Sequence, residues 1–117
     1  MRAIIGWGAV LALVGLLSCK KDKPAPTASN CAGVDTLRIT YQGYVADVMR
    51  QHCTSCHGGS SPSASLALET YAQVRASAES GRWYEAMSRG QMPPSGKLDE
   101  CTLAKLNRWI DLGYPEQ

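Results

Sequence analysis

Apolar side chains return every third or fourth position in four stretches of this 117-residue chain, and nowhere do they alternate over the length of a strand. In residues 40–53, TYQGYVADVMRQHC, Tyr44, Val45, Val48, Met49 and His52 recur at three and four. Thr40 stands where it can cap that helix, and Gly43 weakens its start. Residues 70–80, TYAQVRASAES, open with Thr70 and Gln73 at capping-box spacing and close at Gly81. A short piece over 82–89, RWYEAMSR, ends at Gly90. The most regular stretch is 98–113, LDECTLAKLNRWIDLG. There Asp99 is the N-cap, Leu98 and Leu103 sit at staple spacing, and Leu103, Leu106, Trp109 and Ile110 form one apolar face. Gly113 stops the helix, with Pro115 beyond it. GGSSPSAS and GQMPPSGK, between the helices, have loop chemistry. The pattern predicts an all-α fold of about four helices with no internal repeat.

Ahead of these stretches the pattern changes. Residues 1–18 carry one positive charge, Arg2, and then an unbroken apolar run from Ala3 to Leu17. That run is shorter than the about 20 residues a membrane span needs and suits the core of a secretory signal. It ends in LLSC, Leu16 to Cys19, which resembles the lipobox of bacterial lipoproteins. The resemblance implies a lipid-modified Cys19 as the mature N-terminus; an uncleaved short anchor is the alternative. Either reading exports the domain and tethers it to a bacterial membrane, facing the periplasm or the cell surface. After Cys19 comes KKDKPAPTASN, charged and then rich in Pro, Ala, Thr and Ser, and residues 19–36 read as a flexible linker. The domain proper is expected over 37–117.

Charge adds little. The chain has 12 basic and 10 acidic residues, and removing Arg2 leaves 11 against 10, a net charge of +1. Nothing in that balance points to nucleic acid. The cysteines change the picture more. A domain of this size has a thin core and usually leans on a disulfide, a metal or a cofactor. Both histidines and two of the five cysteines fall within MRQHCTSCHGGSS, residues 49–61. Cys53-Thr-Ser-Cys56-His57 is the attachment pattern for c-type haem. Two thiols three positions apart can each add to one haem vinyl group, and the adjacent histidine then directs its imidazole at the iron. Two other chemistries use similar residues. A redox dithiol would follow the strand of a βαβ unit, and none is visible. Zinc would need a fourth ligand beside Cys53, Cys56 and His57, drawn from His52, Cys31 or Cys101.

The helix ahead of CTSCHGG, the later MPP and the terminal LAKLNRWIDLG together resemble a small monohaem c-type cytochrome domain. The likeness is to the lipoprotein cytochromes of Bacteroidetes-type bacteria, and it covers about residues 38–115. It implies a bundle around one covalently attached haem c, with Leu106, Trp109 and Ile110 packed on Val45, Val48 and Met49. It also implies a second axial ligand opposite His57, commonly a methionine in a proline-containing loop. Met92 in GQMPP matches by residue and context, and Pro93 and Pro94 can hold that loop. The helical spacing of Met49 and Met87 suggests core packing instead. His52 is expected as a helix-end surface residue. Tyr71, Arg82 and Trp83 are softer candidates for hydrogen bonds to the haem propionates. Cys31 and Cys101 suit an exported compartment, either bonded to each other or as two free thiols.

With His57 and Met92 both on iron, no coordination position is open for substrate. The expected function is single-electron transfer between redox partner proteins, with no small-molecule substrate and no enzymatic activity. The alternative is a haem-based sensor or small-ligand binder whose sixth position is open or displaceable. No acid–base pair, nucleophile triad or phosphate loop is visible in the sequence.

Overall fold

In the computed structural model, which describes residues 31–117, every regular element is helical and no strand occurs among the described residues. The proposed signal segment, Cys19 and the first part of the linker lie outside the described residues. Helix α1, Ala46–His52, is entered through a π-helical turn, Tyr41–Val45, and is followed by α2, Thr54–His57. Then come α3, Tyr71–Glu79, α4, Arg82–Ser88, and α5, Glu100–Asp111. Short 3-10 turns occupy Val34–Thr36 and Ser63–Ser65. Among the described residues no helix is long and apolar enough to cross a membrane.

The first predicted helix is therefore three pieces, for two local reasons. At its start the Thr40 side chain accepts from the Gly43 N–H at 3.0 Å, while the Thr40 carbonyl accepts from both Tyr44 and Val45. A Cβ at position 43 would come within 2.8 Å of the Thr40 hydroxyl, so glycine there is what allows the cap. At the far end Cys53, with φ −124° and ψ −45°, leaves the helical region and breaks the ladder. Helix α2 starts afresh one residue later.

The other caps form as the sequence predicts. Thr70 and Gln73 make the reciprocal capping box of α3. Asp99 accepts from the Thr102 N–H at 2.9 Å and from its hydroxyl at 2.6 Å. These bonds to Thr102 hold the Asp99 carboxyl below its ordinary pKa. Asp99→Ala should cost about 1 kcal/mol of stability. A depressed folded-state pKa means the electrostatic part is fully present above the unfolded value near 4 and is lost as pH falls through the folded value. Urea unfolding of wild type and Asp99→Ala should thus differ more at neutral pH than in strong acid.

Trp109 lies at the centre of the core. Its ring meets Tyr114 at 5.2 Å, Trp83 at 6.1 Å and Tyr41 at 6.4 Å between centroids. Leu106, Val45 and Val74 are buried beside it in the same cluster, with Val48, Met49 and Met87. Helix α5 packs against the Tyr41–Val45 turn, α4 and the Val34–Thr36 turn. After Gly113 and Tyr114, both at positive φ, the tail runs back across the start of the first helix. The Pro115 carbonyl accepts from the Trp109 indole at 3.0 Å and from the Tyr41 N–H at 2.9 Å, and the Glu116 carbonyl accepts from Gln42. Donors that a helix start leaves free are thereby satisfied by the tail.

Cys31 and Cys101 are joined in a disulfide, with Cα atoms 5.2 Å apart and a sequence separation of 70. Closing a loop of that length removes about 4 kcal/mol of unfolded-state entropy in the chain-entropy account. The link ties the incoming chain to the first turn of α5, where Val34 is already buried.

Candidate functional site

The Cys-x-x-Cys-His stretch sits on the single turn that follows the break at Cys53. The Cys53 carbonyl accepts from the N–H of Cys56 at 3.2 Å and of His57 at 2.8 Å, so the three reactive residues share one short helical turn. Cys56 is exposed and Cys53 half-buried, and neither is in a disulfide. Burial pushes the Cys53 thiol up to about 11, opposite to the depressed thiol of a dithiol oxidoreductase.

His57 is gripped at two points. Its carbonyl accepts from the Leu68 N–H at 2.8 Å, and its Nδ1 lies 2.9 Å from the Leu66 carbonyl oxygen. A carbonyl can only accept, so Nδ1 carries a proton, and in the neutral ring Nε2 keeps its lone pair. This is the tautomer a metal-ligating histidine needs, with the second nitrogen held by a backbone carbonyl. The residue after it must be small. A Cβ on Gly58 would meet the Thr54 carbonyl oxygen at 2.5 Å and the Glu69 carboxylate at 3.0 Å.

Met92 lies on the loop between α4 and α5. The Gln91 and Met92 N–H groups both donate to the Ala86 carbonyl, at 2.8 and 3.1 Å, and Pro93 is buried. The backbone is anchored while the side chain is not covered: Met92 is 40% exposed. Met49 and Met87, at 1% and 2%, belong to the core, so Met92 alone among the described methionines presents its thioether outward. Leu66, beside the carbonyl that holds His57, is also open at 37%.

The remaining candidates divide. The Tyr71 hydroxyl donates to the Tyr114 carbonyl at 2.7 Å, which makes it a brace for the tail, and Arg82 is exposed. Trp83 is 6% exposed, yet its indole Nε1 is buried with no hydrogen-bond partner. A buried donor left unpaired costs about 1–3 kcal/mol. His52 is exposed at the end of α1. For zinc, Cys31 and Cys101 are committed to each other, and among the described residues no group of three or more His, Cys, Asp or Glu is placed to hold a metal ion. What the sequence did not indicate is the Leu66 carbonyl, since a backbone acceptor has no side-chain signature. No family model, curated protein or solved structure matches the chain.

Proposed function

We propose that this protein is a single-electron carrier: an exported, lipid-anchored domain bearing one c-type haem. Cys53 and Cys56 would hold the haem through thioethers, with His57 and Met92 as its axial ligands. The observation that carries the reading is the His57 ring, whose Nδ1 proton is committed to the Leu66 carbonyl and whose Nε2 is thereby left as a ligand. Three further features fit the group. Cys53 and Cys56 stand one helical turn apart with neither thiol in a disulfide. The Met92 thioether is uncovered on an anchored loop, and the unpaired Trp83 indole suits a haem propionate carboxylate. Bound haem supplies a reversible one-electron iron couple. Around it the chain's own task is to hold the imidazole in one tautomer and to keep the thioether loop in place. Redox partner proteins donate and accept the electron, and acyl chains on Cys19 keep the domain at the membrane.

The exposure of Met92 also supports a second reading, a sensor or small-ligand binder in which this methionine is displaceable. A reduced-minus-oxidised visible spectrum of protein made in a host that matures c-type haem separates the two. A low-spin cytochrome spectrum is expected, a high-spin one favours the sensor, and no haem band removes both readings. Met92→Ala should open the sixth position, lower the potential and bring rapid carbon monoxide binding, because a thioether favours reduced iron. Met87→Ala and Met49→Ala should only destabilise the fold. A spectrum unmoved by Met92→Ala but altered by Met87→Ala would transfer the ligand role to α4.

A further inference from the structure

The loop from Gly58 to Ala67 contains a backbone conformation that its sequence does not favour. Ala64 (φ 54°, ψ 24°) and Ser65 (φ 55°) stand consecutively in the left-handed region. Neither is glycine, asparagine or aspartate, the residues that visit this region readily. Such a pair persists only where its surroundings over-determine it. Those surroundings are on both sides. The Ser65 N–H donates to Pro62 and the Leu66 N–H to Ser63, each at 3.1 Å, which closes a left-handed turn. Leu66 then returns to extended backbone (φ −105°, ψ 106°), and its carbonyl receives the His57 Nδ1 proton. Two residues later Leu68, buried in the core, donates its N–H to the His57 carbonyl.

The handedness of a turn sets the direction of the carbonyl that leaves it. A right-handed turn over Ala64 and Ser65 would send the Leu66 carbonyl elsewhere, while the bond to Leu68 held the loop's far end in place. We infer that Ala64 and Ser65 are positioning residues for His57: their left-handed pair aims the Leu66 carbonyl at Nδ1 and so fixes the ring's tautomer and rotation. Resting on the haem reading above, the same aim sets how strongly the imidazole donates to iron, and hence the reduction potential.

The test compares side chains by their access to positive φ. Valine at position 64 or 65 is excluded from the left-handed region by its branched Cβ, whereas glycine enters it freely. In the reduced, diamagnetic protein, proton–nitrogen NMR reads exchange of the His57 Nδ1 proton with solvent, and redox titration reads the potential. Ala64→Val and Ser65→Val should speed that exchange by about tenfold, the factor one net hydrogen bond carries, and raise the potential as the imidazole donates less. Ala64→Gly and Ser65→Gly should keep wild-type values for both. Should a valine variant fail to fold, Ala64→Thr, branched at Cβ in the same way but polar enough for an exposed loop, reads the same two signals. Folded valine or threonine variants with unchanged exchange and potential would overturn the inference, as would glycine variants that shift as far as the valine ones. The Nδ1 proton can be followed equally in protein that carries no haem, so failure of the haem reading leaves the positioning role separately testable.

Discussion

Alanine at both Cys53 and Cys56 should leave a protein from which acid and organic solvent extract all the haem, or which never acquires any. In the wild type the haem should survive the same treatment. The expected effect is close to complete, because on the proposed reading the two thioethers are the only bonds that denaturation does not break. Axial ligation by His57 and Met92 depends on the fold, which acid and organic solvent undo. The two sites are also unequal: Cys56 is exposed and Cys53 half-buried. A single substitution should leave one covalent bond and therefore a haem that still resists extraction. Denaturing gels stained for haem, with intact-mass analysis, check all three variants. Covalent haem in the double mutant would place the attachment elsewhere.

Trp109→Ala should be the most damaging single change to the fold, at about 3–5 kcal/mol. That is a large share of the 5–15 kcal/mol typical of a whole domain. The indole is fully buried and touches three other aromatic rings, from the first helical turn, α4 and the tail. Its removal empties the place where those elements meet. The Pro115 carbonyl would also lose its indole donor, although the Tyr41 N–H still reaches it. Trp109→Phe weighs the two contributions, keeping most of the ring volume while deleting the donor and the rest of the five-membered ring; it should cost less. Urea unfolding followed by circular dichroism measures both. Equal losses for the two variants would mean that the hydrogen bond, and not the packing, holds the tail.

The caps and apolar faces of α3 and α5 were legible because they are local. Thr70 with Gln73, and Asp99 at the start of α5, satisfy their helix starts within a few residues of sequence. The division of the methionines was legible too. Met49 and Met87 keep helical spacing and are buried, while Met92 stands in a proline loop and is exposed. The expectation of one continuous helix over 40–53 missed the break at Cys53 and the wide turn at Tyr41–Val45, since apolar periodicity survives both distortions. The grip of the Leu66 carbonyl on His57 was not legible at all. It depends on a left-handed turn at two residues that give no composition signal for one.

The sequence by itself determined the helical class and most of the helix boundaries, because propensity and capping act over one or two turns of chain. Only the tertiary structure decided that Cys31 meets Cys101 across 70 residues, that the tail closes over the first helix, and which nitrogen of His57 holds its proton. Those depend on where distant backbone atoms come to rest when the other elements pack around Trp109 of α5, and a carbonyl brought in from elsewhere leaves no mark on the residues it serves.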